Sequence, residues 1–95
     1  MFVRVVRFTD TNRERIESLL TRVREAGGPP PGVKAKSIQI LLDESRGTAV
    51  VLQNFESAED MESAAKVFDA MEPGETPGTR ASVDSCEQML ELSAS

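Results

Sequence analysis

The hydrophobic residues of this chain follow two spacings, one typical of strands and one typical of helices. The clearest alternation is at Ile38, Ile40 and Leu42, whose polar neighbours Ser37 and Gln39 would lie on the opposite face of a strand. Segments rich in Val, Ile, Leu and Phe, which strands favour, are 2–8, 36–43, 48–55 and 80–92. We therefore predict a strand in each of these four segments.

Two stretches between these strands repeat their hydrophobic residues at helical spacing. The stripes consist of Ile16, Leu19, Leu20 and Val23 in the first stretch and Met61, Ala64, Ala65, Phe68 and Met71 in the second. Thr11 and Glu14 have the spacing of a capping box, and Ser57 and Asp60 have the same spacing before the second stripe. The sequence Gly-Gly-Pro-Pro-Pro at 27–31 would end the first helix.

The predicted element order is β-α-β-β-α-β, the ferredoxin-like split arrangement. It predicts an α+β fold in which a four-stranded antiparallel sheet carries two helices on one face. A chain of 95 residues is expected to form a single domain, 1–95. So short a chain buries only about two-thirds of its unfolded surface. A partner that covers the second face of the sheet would therefore add stability.

The second face of the sheet is expected to be half apolar. With a three-residue turn at 44–46, the helix side would carry Thr48, Val50 and Leu52 beside the Ile38 face. The open side would then carry Ser37, Gln39, Leu41, Ala49, Val51, Gln53 and Phe55. A slip of one residue would exchange the two faces. Such a mixed face is typical of one covered by a second subunit or by a ligand.

The first and last predicted strands also suggest that a second chain packs against this one. The first strand is apolar on both faces, with Val3 and Val5 on one and Phe2, Val6 and Phe8 on the other. The apolar positions of the last segment change phase near Asp84 and Ser85, which predicts a bulge there. The far half of that long strand could pair with another subunit or form a frayed polar tail.

Composition excludes several kinds of chemistry. The chain has no His, Trp or Tyr, so it offers neither a Ser-His-Asp triad nor a His metal site. The single Cys86 cannot form an intrachain disulfide, which fits a reducing cytoplasm. No apolar run reaches the 18 residues typical of a membrane span, and no signal peptide is evident. We expect a soluble, cytoplasmic protein without a membrane partner, a metal or a cofactor.

The stretch RGTAVVLQNF, 46–55, has the strand and turn signals of the third strand of an RNA-recognition motif. That motif stacks bases on aromatic side chains, which would stand where this chain has Thr48, Val50 and Gln53. Phe2 could imitate the aromatic residue of the motif's first strand, but one ring without its partners is a poor stacking platform. The net charge of −5 also disfavours binding to phosphate backbones. We therefore expect no nucleic-acid partner.

A longer stretch, PPPGVKAKSIQILLDESRGTAVVLQNFESAEDMESA, resembles the dimeric α+β barrel superfamily, particularly the antibiotic-biosynthesis monooxygenases. A Pro-Gly segment leads into a hairpin, whose second strand ends in an aromatic residue before an x-S-x-E helix start. The resemblance implies a homodimer in which two sheets face each other and the last strand extends to the other subunit. Dimer-interface candidates are then Val6, Leu41, Val51, Cys86 and Leu90.

The chain departs from that family at functional positions. Phe55 stands where these monooxygenases tend to have Trp, and the absence of Trp and His argues against haem degradation. A cofactor-free oxygenase acting on a phenolic substrate stays possible, since the substrate itself can supply electrons to oxygen. Candidate ligand-pocket residues are Arg4, Gln39, Gln53, Phe55 and Arg80.

These observations leave three functional alternatives. The first is a homodimer that binds a small aromatic or polyketide-like molecule between its sheets, and the second is the cofactor-free monooxygenase. The third is a non-enzymatic scaffold whose barrel is filled by Val6, Leu41 and Val51. The candidate residues have simpler explanations too: Arg4 could pair across a dimer, and Phe55 could pack under the second helix. No catalytic residue can be named from the sequence.

Overall fold

The computed structural model describes residues 1–28, 32–70 and 77–93. Its elements in chain order are β1 (Phe2–Thr9), α1 (Arg13–Ala26), β2 (Ser37–Asp43), β3 (Thr48–Phe55), α2 (Ala58–Asp69) and β4 (Thr79–Glu87). The strands form one antiparallel sheet in the order β2-β3-β1-β4. The predicted α+β, ferredoxin-like fold is confirmed. Within the described ranges, no helix is long and apolar enough to cross a membrane.

Polar side chains determine where the two helices begin. The Ser57 hydroxyl accepts a hydrogen bond from the backbone N–H of Asp60 at 3.1 Å, as its spacing predicted. In α1 the cap is Asn12 rather than Thr11, and its side-chain oxygen accepts from the Arg15 N–H at 2.9 Å. Gly27 ends α1 in the left-handed conformation, with φ of 72°. The prolines predicted to stop the first helix, Pro29–Pro31, and Met71 of the second predicted stripe lie outside the described residues.

The pairing of β2 with β3 differs from the prediction by one residue. Asp43 pairs with Thr48, so the turn has four residues, 44–47, instead of three. Its last residue, Gly47, has φ of 67°, a conformation that glycine adopts readily. The faces of β3 are therefore exchanged. Residues on the helix side are Ala49, Val51, Gln53 and Phe55, and those on the open side are Thr48, Val50, Leu52 and Asn54.

The last strand is shorter than predicted and its irregularity lies elsewhere. Pairing with β1 shifts between Arg7 and Phe8, opposite Ser82 and Arg80, rather than near Asp84 and Ser85. The strand ends at Glu87, which pairs with Phe2 at the start of β1. One further hydrogen bond joins the Gln88 N–H to the Met1 carbonyl at 2.9 Å. The predicted extension to residue 92 is therefore not part of the sheet.

The core consists of two clusters on the helix side of the sheet. The first cluster joins Ile16 of α1 to four buried strand residues, Val6, Phe8, Ala49 and Val51. The second cluster joins α2 to the end of β3 and the segment before β2, through Val33, Phe55, Met61 and Ala64. Each helix thus buries its apolar stripe against a different part of the same sheet face.

The opposite face of the sheet, which we call the open face, has no helix of the described residues against it. It carries Val3, Val5, Val50 and Leu52, which are half-buried, and Leu41, which is 52% exposed. These side chains lie on three adjacent strands. The expectation of a half-apolar open face holds. The residues that β3 contributes to this face are those that were predicted to lie on the helix side.

Candidate functional site

A cavity of about 410 Å³ lies between the helix side of the sheet and the helices. Members of both core clusters line it, so it adjoins both clusters. Its walls are mainly apolar and include Val6, Phe8, Leu19, Val23, Val33, Ala35, Val51 and Phe68. Cavities of about 300–1,000 Å³ with mainly apolar walls are typical of small-molecule sites. We therefore treat this space as the candidate functional site.

The cavity is bordered by exposed residues at the start of β2. Lys36, Ser37 and Ile38 line it and are themselves exposed. Lys36 forms an ion pair with Glu56, with 2.8 Å between Nζ and Oε1. This pairing raises the pKa of the Lys36 ammonium group, chiefly through the hydrogen bond. Because β2 is an edge strand, a ligand could enter the cavity on this side without crossing the sheet.

Arg4 is the most buried charged side chain of the site, at 2% exposure. Its Nη1 donates a hydrogen bond to Gln53 Oε1 at 3.1 Å, across the β1–β3 pair. Its guanidinium carbon lies 4.9 Å from the centre of the Phe68 ring, at cation–π distance. Both partners and Arg4 itself line the cavity. The arrangement places a buried positive charge at the wall of a mainly apolar cavity.

Asp69, the last residue of α2, lies between two arginines. Its Oδ1 accepts a hydrogen bond from Arg80 Nη2 at 2.7 Å and is 3.9 Å from Arg4 Nη2. The second distance exceeds hydrogen-bond length, so Asp69 is bonded to Arg80 and only near Arg4. Asp69 therefore lies near two guanidinium groups and is bonded to one of them, so the charges of these three side chains sum to a positive value.

The ionisation of these groups follows from their surroundings. Burial lowers the pKa of Arg4, the nearby charge of Arg80 lowers it further, and Asp69 partly opposes both effects. A hydrogen bond from Arg80 lowers the pKa of the Asp69 carboxyl group. Arginine stays protonated despite such shifts, because its ordinary pKa lies far above neutrality. The cavity therefore holds a charged but incompletely compensated guanidinium group.

The structure brings together three of the five predicted ligand-pocket residues: Arg4, Gln53 and Arg80 all line the cavity. Phe55 is fully buried in the second cluster with Met61 and Ala64. This agrees with the alternative in which Phe55 packs under the second helix. Gln39 is exposed on the open face, because it pairs with Leu52. The cavity that these residues line lies between the sheet and the helices of one chain, and the predicted pocket between two sheets stays a prediction.

Sequence reasoning missed Phe68 and Asp69 as site residues. The helical stripe predicted that Phe68 would face the sheet, but gave no reason to place it under a guanidinium group. Asp69 stood in the acidic half of the chain and showed no local signal. An arginine in an otherwise apolar strand, such as Arg4, could have prompted a search for an acidic residue near a helix end.

The predicted interface residues fall into three places. Leu41 and Cys86 are exposed on the open face, and Leu90 lies beyond β4 at 73% exposure. Val6 and Val51 are buried in the first cluster on the helix side. A sheet-to-sheet contact through the open face could not use these two side chains, because the one-residue change of pairing turns Val51 inward.

Comparison with known proteins adds no assignment. No family model matches the chain, and no curated protein or solved structure is significantly similar to it. Over residues 1–28, 32–70 and 77–93, no three Cys, Asp or Glu side chains are grouped as metal ligands would be. The functional argument therefore depends on the cavity and its charged groups.

Proposed function

We propose that this protein binds a predominantly apolar small molecule in the cavity between its sheet and its helices. The observation that carries the proposal is a cavity of about 410 Å³ with apolar walls and a few converging polar groups. Close packing is the rule in protein interiors, so a space of this size among the described residues of a small domain needs an explanation. A ligand that fills it would bring the two core clusters into contact through its own surface.

A fluorescent probe and a cavity-filling variant test this proposal. N-phenyl-1-naphthylamine is uncharged, mainly apolar and fluorescent in apolar surroundings. We expect it to bind saturably and the variant Ala35→Leu, which extends a wall residue into the cavity, to weaken binding by about tenfold or more. Ala26→Leu is the matched control, because Ala26 is exposed on α1 and is not a wall residue.

Circular dichroism of each variant would establish that it folds. If the probe does not bind saturably, or if Ala35→Leu and Ala26→Leu bind it as well as the parent chain does, the proposed cavity function is wrong. A loss of binding in Ala35→Leu alone would place the probe in the cavity rather than on the open face.

We also propose that the chain forms a homodimer through the open face. Its apolar side chains Val3, Val5, Val50, Leu52 and Leu41 are only partly covered within one chain. Aligned packing of two sheet faces buries such residues efficiently. A second copy is the occupant that fits the resemblance to dimeric α+β barrels. The small size of the domain gives it a further reason to bury this surface.

A cofactor-free monooxygenase of the antibiotic-biosynthesis type is an extension of the same proposal. The observation in its favour is Arg4, since a cation in an apolar cavity would stabilise the deprotonated form of a phenolic substrate. Such an anion can pass an electron to oxygen more readily than the neutral phenol. Oxygen uptake with phenols that bind the cavity would test this extension, and its absence would leave a binding protein.

A further inference from the structure

Among the described residues, the Arg4 guanidinium group has few acceptors. Its Nη1 donates a hydrogen bond to Gln53 Oε1 at 3.1 Å, and its Nε has no acceptor in the same part of the chain. Nη2 is 3.9 Å from the Asp69 carboxylate, which is itself bonded to Arg80. Buried guanidinium groups normally have several partners, because a buried donor without an acceptor has lost its hydrogen bonds to water and gained none in return.

The atoms left without a short hydrogen bond form one side of the guanidinium group. Nε and Nη2 are the pair that can donate two parallel bonds to a single carboxylate. The exposed Arg13 uses this same pair to bind Glu44, from Nε to Oε1 at 3.3 Å and from Nη2 to Oε2 at 3.0 Å. In Arg4, no described side chain occupies the corresponding position.

Among the described residues, the charges around the cavity are also unequal. Arg4 and Arg80 both line it, and the carboxylate of Asp69 lies between them. Lys36 has its own partner in Glu56, so it does not change this balance. An added anion would offset the excess positive charge beside the Arg4 side chain, which is buried, so electrostatic attraction there is stronger than in open water.

We propose that the ligand of this cavity is an amphipathic anion: an apolar, ring-containing body with a carboxylate, sulfonate or phenolate group that Arg4 and Arg80 bind. The inference rests on the proposed function, because it names the ligand class for the same cavity. The apolar walls contact the body of the ligand, and the oxyanion supplies the acceptor that Arg4 lacks. Arg4 also distinguishes this ligand class from neutral molecules of the same shape.

Two probes that differ by one sulfonate separate the charge effect from the apolar effect. N-phenyl-1-naphthylamine is uncharged, and 8-anilinonaphthalene-1-sulfonate is the same molecule with an added anionic group. We expect the parent chain to bind the sulfonate at least about tenfold more tightly than the uncharged probe at physiological ionic strength. The quantity to compare between variants is the dissociation constant of the uncharged probe divided by that of the sulfonate.

Three substitutions should move the ratio in two directions. Arg4→Met and Arg80→Gln each remove a positive charge and should bring it close to one. Asp69→Asn removes the competing carboxylate and should raise the ratio above that of the parent chain. Arg22→Gln is the control, since Arg22 is exposed on α1, is not a wall residue and should leave the ratio unchanged.

The outcomes distinguish the two proposals. If both probes bind equally, or if the three substitutions leave the ratio unchanged, the anion inference is overturned while Ala35→Leu still tests the cavity. If Arg4 had a purely structural role, Arg4→Met would weaken the binding of both probes equally. That result would also overturn the anion inference. If Arg4→Met does not fold, the opposite shifts in Arg80→Gln and Asp69→Asn decide the question. If neither probe binds, both proposals are wrong.

Discussion

Arg4 occupies a strand position whose neighbours on the same face, Val6 and Phe8, are buried and apolar. The sequence identified Arg4 as a candidate ligand-pocket residue. It did not identify Phe68 and Asp69, which come from the end of a helix more than 60 residues away. Whether Phe68 and Asp69 reach Arg4 depends on how the helix is rotated against the sheet. The hydrophobic spacing of the sequence does not determine that rotation closely enough.

The Arg4–Gln53 pair gives a prediction for stability. Gln53→Leu removes the acceptor of Nη1 and leaves a buried charge with a lost bond, so we expect a cost of about 2–3 kcal/mol in the free energy of unfolding. Arg4→Met replaces a poorly compensated charge by an apolar chain of similar length. We expect its effect to stay within about 1 kcal/mol, since apolar replacements of buried ions are often tolerated.

Urea unfolding of the two single variants and the double variant measures this coupling. In the double variant the cost of Gln53→Leu should largely disappear, because no charge is left to satisfy. Equal costs for Gln53→Leu in the presence and absence of Arg4 would contradict the role given to this hydrogen bond.

The elements themselves were predictable from the sequence, and their pairing was not. All six predicted elements appear, because strand and helix spacings differ clearly in this chain. The β2–β3 pairing was wrong by one residue because β3 has apolar side chains in both phases, as Ala49, Val50, Val51 and Leu52 illustrate. β4 was predicted too long because its apolar positions continue beyond Glu87, where β1 offers no further partner.

Gly47 gives a prediction at the scale of the hairpin. It has φ of 67°, and a Cβ added there would lie 3.3 Å from the Thr11 carbonyl oxygen. We expect Gly47→Ala to lower the free energy of unfolding by about 1 kcal/mol or more. Gly47→Asn adds the same Cβ but tolerates positive φ better, so its cost should be smaller. Equal costs in thermal or urea unfolding would show that crowding, not backbone conformation, dominates.

At the scale of the whole molecule, the two faces of the sheet have different expected roles. The helix side contains the cavity and its arginines, and the open face presents apolar residues that we propose a second copy covers. The ligand pocket between two facing sheets, expected from the sequence, stays a prediction. The one-residue change in the β2–β3 pairing moves Gln53 from the open face to the helix side.

The proposed dimer can be tested with two residues of the same strand. Leu41 and Ile38 are 52% and 45% exposed, and they lie on opposite faces of β2. We expect the parent chain to sediment as a dimer and Leu41→Glu to shift it toward monomer, because a carboxylate would be buried in the interface. Ile38→Glu should leave the dimer intact. A monomeric parent chain, or equal effects of both substitutions, would contradict the proposed interface.

The central claim, that a small anionic molecule binds between the sheet and the helices, is tested most directly by a two-dimensional ¹H–¹⁵N NMR titration with 8-anilinonaphthalene-1-sulfonate. The account predicts that the largest shifts occur at the backbone amides of wall residues, among them Arg4, Ala35, Gln53 and Phe68. Shifts confined to Leu41, Val50 and Leu52 on the open face would contradict it. They would mean that the probe recognises the uncovered sheet surface and that the cavity has no ligand of this class.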